Sequence, residues 1–122
     1  MTNARTKRSG QRHEALQYLV EAVLDRSDAR SAAIVGMEDG KARIVAGAGI
    51  PRDLAGLARV AGPVARGEAC AELDAVTEGT DLLTRAVAAG GKTYYLAALG
   101  TRVRKMTDAA RAITRIVATT EA

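Results

Sequence analysis

Two glycines followed by Lys and Thr form the segment of this chain that most resembles a site for chemistry. Residues 86–93, AVAAGGKT, satisfy the loose phosphate-loop pattern in which Ala replaces the first Gly. A working phosphate loop needs a helix that begins at the Lys-Thr pair, because free N–H groups and the helix dipole must face the phosphates. Here Thr93 is followed by Tyr-Tyr-Leu-Ala-Ala-Leu, which favours a strand. We therefore expect Gly90-Gly91 to form a hairpin turn, Lys92 to be exposed, and no nucleotide to bind there.

Other reactive side chains do not form a recognisable catalytic group. His13 and Cys70 are the only histidine and cysteine of the chain, and the sequence marks no third residue to orient a Cys–His pair. Residues 67–80, GEACAELDAVTEGT, hold four acids without the alternating ligands and the Gly of a calcium loop. These four acids are Glu68, Glu72, Asp74 and Glu78. We therefore predict a non-enzymatic protein with no catalytic residue, no cofactor and no metal ion.

The elements that would position any site begin with two predicted hairpins. Leu82–Ala89 and Thr93–Leu99 are apolar runs of strand length on either side of Gly-Gly, which favours a tight turn. Both sides of the second run are apolar, so we expect a sheet that is covered on both faces. Ser31–Met37 and Ala42–Ala48 flank Asp-Gly, another favoured hairpin turn.

Three helices are predicted around these hairpins. The first begins at Arg12 and is amphipathic through Leu16, Leu19, Val20, Val23 and Leu24. The second runs from Pro51 to Val64, with Pro63 expected to kink or end it. The third follows Thr101 as N-cap. Its predicted buried face consists of Met106, Ala109, Ala110, Ile113, Ile116 and Val117. For residues 67–80, a short edge strand at Ala71–Val76 and an acidic loop both stay open.

Charge divides the chain into a mildly acidic body and two basic ends. Residues 1–12 carry +4, residues 13–100 carry 9 basic and 12 acidic residues, and residues 101–122 carry 5 basic and 2 acidic residues. We predict a disordered basic tail at residues 1–11 and a single domain at residues 12–120. The basic ends favour nucleic acid or an acidic partner surface, but a solvated tail and the outer face of a helix are the interpretation that we prefer.

Cysteine content and hydropathy indicate the compartment. A single cysteine cannot form an internal disulfide and fits a reducing environment. The first 30 residues show no secretory signal pattern, and no apolar run approaches the length of a membrane span. We therefore expect a cytoplasmic protein that does not span a membrane.

In order and length the predicted elements resemble the Roadblock / dynein light-chain family. The resemblance rests on the opening amphipathic helix, on the first hairpin AAIVGMEDGKARIVAGAG, and on TYYLAALGTRVRKMTDAARAI, where a strand runs through Gly into a closing helix. It covers residues 12–118. It implies an α+β fold of Roadblock/profilin-like type, αββαβββα, with a five-stranded antiparallel sheet, one helix on one face and two on the other. It carries over no catalytic residue.

The resemblance also implies a homodimer in which the helix from Pro51 to Val64 and the central strand meet their copies. Bacterial relatives commonly regulate Ras-like small GTPases or serve as scaffolds, so we expect that role here. An alanine-rich core supports a dimer, because 26 alanines against 28 Val, Leu, Ile and Met gain little burial energy per side chain. Gly56 and Gly62 would let another backbone approach the helix. The expected dimer interface consists of Leu54, Leu57, Ala58, Ala61 and Val64.

Two other function classes stay open. VGMEDGKARIVAGAGIP is also similar to the opening hairpin of GAF-like small-molecule sensor domains. A sensor pocket would use aromatic, Cys or His side chains, and this chain offers Tyr94, Tyr95 and Cys70 for that purpose. A nucleic-acid-binding module is the third class and rests on the two basic ends alone.

Overall fold

A computed structural model describes the backbone of residues 4–100 and 106–120 and the side chains of residues 10–100 and 106–120. Four helices and four strands make up this described part of the chain. They are α1 (Ala4–Ser27), β1 (Ser31–Glu38), β2 (Lys41–Ala48), α2 (Pro51–Ala65), α3 (Leu73–Thr77), β3 (Leu82–Ala89), β4 (Lys92–Leu99) and α4 (Thr107–Thr119).

The four strands form one antiparallel sheet in the order β2-β1-β4-β3. Both predicted hairpins are confirmed, with two-residue turns at Asp39-Gly40 and Gly90-Gly91. All four turn residues have positive φ, from 52° at Asp39 to 76° at Gly40, as hairpin turns of type I′ require. β1 and β4 therefore lie in the centre, and β2 and β3 form the two edges.

Helices cover both faces of the sheet, as the two-sided apolar pattern of β4 predicts. α1 and α4 pack on one face, where Leu16, Ile34, Leu96 and Ile113 are fully buried. α2 packs on the other face. Its core cluster is Ala33, Val35, Leu57, Val60, Ala61, Val76, Tyr95, Ala97 and Leu99. Tyr94 and Tyr95 consequently face opposite cores, and each is about 95% buried, with 6% and 5% exposed.

The described residues form four strands, so the expected five-stranded sheet is not confirmed. The strand considered for residues 67–80 is wrong, because Leu73–Thr77 form the short helix α3. Its N–H groups bond carbonyls four residues back, as in Val76 to Glu72 at 3.0 Å. Val76 is β-branched and would favour a strand. Its burial against the α2 core stabilises the helix by more than this preference, and Leu73 and Ala75 beside it are good helix formers. Since α3 lies beside α2, each face carries two helices rather than one and two.

Element boundaries differ from the predictions at three places. α1 begins at Ala4 rather than Arg12, so the expected boundary between tail and domain falls within a helix. Arg and Lys propagate helices well, which allows the basic segment to continue α1. Pro63 lies inside α2, which ends two residues later at Ala65. The predicted cap at Thr101 lies outside the described residues, and α4 begins at Thr107.

Candidate interaction surface

Strand β3 forms one edge of the sheet and pairs with β4 alone. The N–H of Gly100 donates to the carbonyl oxygen of Asp81 at 2.7 Å, and the register continues this pairing into β3. Hydrogen-bonded and non-bonded pairs alternate in an antiparallel ladder, so the odd-numbered residues of β3 bond to β4. The backbone N–H and C=O groups that point away from the sheet belong to Leu82, Thr84, Ala86 and Ala88.

These outward groups are largely open along β3. The carbonyl oxygen of Ala88 accepts a long hydrogen bond of 3.4 Å from the hydroxyl of Thr114. Elsewhere in the described part of the chain, we find no side chain or strand that bonds this edge. An edge strand with free N–H and C=O groups is a template for pairing with another strand. We call these outward groups, together with the exposed side chains of Ala86 and Ala88, the β3 edge surface.

Helix α2 contacts β3 but leaves the side chains of Ala86 and Ala88 exposed. Near its start Leu54 lies against Gly47 on β2, at the opposite edge. Near its end Gly62 lies against the ring of Tyr95 on β4, where an added Cβ would come within 3.3 Å of the ring. Ala86 is the register partner of Tyr95 on the outer strand, and it is exposed.

An ion pair at the end of α2 borders this surface. Arg66 Nη1 donates to the Tyr95 hydroxyl oxygen at 2.9 Å, and the guanidinium lies 5.6 Å from the ring centroid. Its Nε and Nη2 donate to the two carboxylate oxygens of Glu68, at 2.7 and 3.0 Å. The hydrogen bonds to Glu68 and Tyr95 raise the pKa of Arg66, and those from Arg66 hold the pKa of Glu68 below its ordinary value. The border of the β3 edge surface at the end of α2 is therefore charged, and its two charged side chains, Arg66 and Glu68, hold each other in place.

Strand β2, at the other edge, is closed at Gly47 by a side chain. The amide of Gln17 on α1 donates through Nε2 to the carbonyl oxygen of Gly47 at 2.8 Å, and its Oε1 accepts the N–H of Gly47 at 3.2 Å. This side chain thus occupies the positions of a neighbouring strand. The same strand has a β-bulge two residues before Gly47. Ile34 pairs with Ala46 while Val35 pairs with Ile44, so Val45 is the extra residue. A bulge twists an edge away from further pairing.

A buried carboxylate fixes the start of α2. Asp53, only 3% exposed, accepts bonds from Arg30 Nε at 2.9 Å, Arg30 Nη2 at 3.1 Å and the hydroxyl of Ser31 at 2.6 Å. The N–H of Ile50 in turn donates to the Ser31 oxygen at 3.0 Å. Burial would raise the pKa of Asp53, but the bonds from Arg30 and Ser31 and nearby positive charge bring this pKa below its ordinary value. We call these residues the Asp53 cluster.

Short helix α3 is held against α2 by a close approach and two ion pairs. A Cβ at Gly56 would lie 2.9 Å from Val76, so only glycine lets Val76 pack this closely. Arg52 and Glu78 approach to 3.5 Å, and Arg59 pairs with Glu72. The close approaches expected at Gly56 and Gly62 therefore occur within one protomer, to α3 and to Tyr95.

The predicted dimer interface divides into two groups. Leu57 and Ala61 are fully buried against the protomer's own sheet, so they have no surface to offer a second copy. Leu54, Ala58 and Val64 are half-buried, and their role in an interface stays a prediction. The sequence reasoning placed the apolar stripe correctly on one side of α2. It assigned that stripe to a second copy, whereas Leu57 and Ala61, at the centre of the stripe, pack against the sheet of the same protomer.

Other candidate residues are separated by the fold. His13 is exposed on α1, whereas Cys70 packs beside the α2 core on the opposite side of the sheet. Lys92 and Thr93 begin strand β4 rather than a helix, which confirms the predicted hairpin turn. Among the described residues, no group of three or more His, Cys, Asp or Glu side chains could hold a metal ion.

Comparisons of this chain with protein-family models, with curated proteins and with solved structures found no match. No helix within the described ranges is both long and apolar enough to cross a membrane.

Sequence reasoning missed two residues, one that fixes the start of α2 and one that bonds the β2 edge. Asp53 was not singled out in the sequence analysis, although its position in the first turn of α2, two residues after Pro51, was an available signal. Gln17 was not singled out either. No local pattern marks a glutamine whose partner is a backbone 30 residues away.

Proposed function

We propose that the protein is a non-catalytic, Roadblock-like homodimeric scaffold or regulator, in which two copies join along β3. The observation that carries this proposal is the difference between the sheet edges. β2 is closed at Gly47 by Gln17, whereas the β3 edge surface presents free backbone groups beside small exposed side chains. Pairing with a second copy would satisfy these groups and bury the neighbouring alanines.

Charge selects the register of this pairing. Antiparallel strands related by a two-fold axis can meet with the axis at Arg85 or at Ala86. An axis at Arg85 would set two like charges directly opposite each other, which is destabilising. An axis at Ala86 pairs Ala86 with its copy and Thr84 with Ala88 of the partner subunit. Arg85 then faces Val87 of the partner subunit, and about six backbone hydrogen bonds form.

A Ras-like small GTPase is the partner class that the Roadblock resemblance implies. The order helix, hairpin, two helices, hairpin, helix and the antiparallel sheet support that resemblance. A dimer offers a GTPase two equivalent copies of every exposed surface, which suits a regulator that organises a complex. The charged rim at Arg66 and Glu68 would remain at the margin of the joined sheet.

The partner assignment is tested by retention of GTPases on the immobilised protein. Ras-like GTPases encoded by the native host are loaded with GDP or with a non-hydrolysable GTP analogue and passed over it. We expect one GTPase to be retained in a nucleotide-dependent way. Bovine serum albumin on the same support is the control. Retention of no GTPase in either nucleotide state would overturn the partner assignment and leave the dimer to be judged by its mass.

A GAF-like sensor has one supporting observation, an apolar groove of about 480 Å³ between α1 and α4. The side chains that the sequence offers a sensor do not line this groove. Tyr94 and Tyr95 face opposite cores, and Cys70 packs beside α2 on the far face of the sheet. The groove is lined mainly by aliphatic residues such as Leu19, Val23 and Met106, with Arg26 and Asp108 also in its lining. The scaffold therefore remains the function that the geometry supports best.

A further inference from the structure

The apolar groove between α1 and α4 lies on the face of the sheet opposite to α2. The two helices run in opposite directions along it. The last turn of α1 meets the first turn of α4 in the groove lining, whereas Arg12 Nε on α1 donates to the hydroxyl of Thr120, just after α4. A volume of about 480 Å³ lies within the range of small-molecule sites, about 300 to 1,000 Å³. The apolar lining consists of Leu19, Ala22, Val23, Met106, Ala109 and Ala112.

Two charged side chains, Arg26 and Asp108, also line the groove. Arg26 lies in the last turn of α1 and Asp108 in the first turn of α4, so both stand at the same end of the groove. Within the described part of the chain, neither side chain forms a hydrogen bond or an ion pair. A bound molecule can therefore contact either charge without displacing a partner.

The two charges differ in how far their own helices compensate them. Arg111 follows Asp108 by three residues, the spacing at which side chains on a helix are neighbours, so a cation lies near this carboxylate. Arg26 has only apolar residues three and four positions before it. Asp25 directly precedes Arg26, and adjacent residues on a helix do not face each other. The uncompensated charge at this end of the groove is therefore positive.

We propose that this groove binds a linear aliphatic carboxylate, with its chain along the apolar lining and its carboxylate at Arg26. Arginine suits this head group because its planar guanidinium donates two parallel hydrogen bonds to one carboxylate. At about 30 Å³ for each water-sized group, a chain of about ten carbons fits within the groove. The proposal does not rest on the scaffold function, since it uses the helical layer and not the β3 edge surface.

The lining favours a narrow chain over a helix of a protein partner. A helix is about 10 Å wide, and partners of that kind are held by aromatic or Arg anchors at the centre of the contact. No aromatic residue belongs to the lining of this groove. Tyr18, 77% exposed, is the most exposed large apolar side chain in the described ranges, and it lies outside the lining. Short alanines with one cation at the end suit a single alkyl chain instead.

The test is isothermal titration calorimetry of the full chain with decanoate. We expect a dissociation constant below about 1 mM. Butanoate should bind more than about a hundredfold more weakly, because each buried methylene contributes about fourfold in affinity. Decylammonium has the same chain and the opposite charge, and it should bind at least about tenfold more weakly than decanoate.

Two variants locate the site. Arg26→Gln should weaken decanoate binding at least about fivefold without weakening decylammonium binding. Arg52→Gln, which removes an exposed arginine on the other face of the sheet, should bind within about twofold of the unmodified protein. Ala112→Phe fills the groove and should abolish decanoate binding, whereas Ala118→Phe, at an exposed position on the same helix outside the lining, should not. Circular dichroism checks that each variant is folded. Because Arg26 is exposed, its variant keeps the test decisive if Ala112→Phe does not fold.

Four results would overturn the proposal. Absence of decanoate binding would leave the groove to a partner helix. Equal binding of decylammonium, or equal losses in Arg26→Gln and Arg52→Gln, would remove Arg26 as the carboxylate site. A folded Ala112→Phe variant that binds decanoate as the unmodified protein does would place the site elsewhere. Binding of phosphatidylglycerol vesicles that decanoate does not displace and that Ala112→Phe abolishes would assign the groove to a lipid surface.

Discussion

The two edges of the sheet satisfy their outward backbone groups in different ways. At β2, the side chain of Gln17 bonds both backbone groups of Gly47, a bulge displaces Val45, and Lys41 and Arg43 are exposed. At β3, the outward groups are open and the neighbouring side chains are small. Charged residues, bulges and covering side chains are the features by which proteins prevent edge-to-edge association. All three are present at β2, whereas β3 has one cation, Arg85, on its opposite face.

This difference limits how the protein can associate. A sheet with two open edges would extend without end, and one with two closed edges would have no strand to pair. A sheet with one open edge can pair with a copy of itself through a two-fold axis, after which only the two closed β2 edges remain. The closed β2 edge is therefore as important to a defined dimer as the open β3 edge.

The largest expected effect distinguishes the strand from the centre of α2 as the surface for association. Leu57 is fully buried, so Leu57→Glu should leave an unpaired charge in the protomer core and lower the free energy of unfolding by at least about 3 kcal/mol. Urea denaturation followed by circular dichroism measures this change. Ala55→Glu, at an exposed position on the same helix, should alter it by less than about 0.5 kcal/mol. A folded monomer from Leu57→Glu would restore α2 as the interface and contradict this account.

A smaller effect is expected at the Asp53 cluster, which fixes α2 next to the closed edge. Asp53→Asn removes the charge that Arg30 and Ser31 bond and should lower the free energy of unfolding by about 2 kcal/mol at pH 7. Asp108→Asn, at an exposed carboxylate in the first turn of α4, is the matched control and should have little effect.

The pH dependence follows from the lowered pKa of Asp53. A carboxyl group whose folded pKa is depressed stabilises the fold above its unfolded pKa, about 3.9, and loses that contribution as pH falls further. The difference between unmodified protein and Asp53→Asn should therefore be constant from about pH 7 to 5 and shrink below about pH 4. A difference that grows on acidification would contradict the assigned role of the carboxylate.

The next prediction opens the closed edge. Gln17→Ala removes both bonds to Gly47, so the free energy of unfolding should fall by about 1 to 2 kcal/mol. With both edges open, the variant should also form species larger than a dimer, measured by light scattering over a concentration series. Gln11→Ala, at an exposed position on the same helix, should change neither property. If Gln17→Ala keeps the mass of the unmodified protein at every concentration, Gln17 does not protect the edge.

Much of the fold follows from local sequence patterns. Asp39-Gly40 and Gly90-Gly91 mark both hairpin turns, and two-sided apolarity in β4 indicates helices on both faces. The fate of residues 67–80 could not be predicted in the same way. Val76 is buried because Gly56, 20 residues earlier, leaves space for it, and a long-range contact of this kind has no local signal.

The surface was predicted less well than the fold, for a related reason. An apolar stripe such as that of α2 shows that a helix packs against something, but it does not say whether the partner is its own sheet or a second copy. Leu57 and Ala61 face the sheet, and this follows only once both faces are known. The open β3 edge depends on which strands pair, and the sequence of β3 alone does not reveal it.

The measurement that tests the central claim most directly is the mass in solution of two proline variants. Ala86 and Ala42 are both exposed, on β3 and β2 respectively, and the N–H of each points away from the sheet, so proline removes no bond within the protomer. Sedimentation equilibrium at about 50 μM, well above the dissociation constant of a stable dimer, should give the unmodified protein twice its chain mass of 12.7 kDa.

Ala86→Pro should give a folded species with the mass of one chain, and Ala42→Pro should stay at twice that mass. A single-chain mass for the unmodified protein would contradict the dimer. A dimer that survives Ala86→Pro, with both variants alike, would show that the copies do not join along β3.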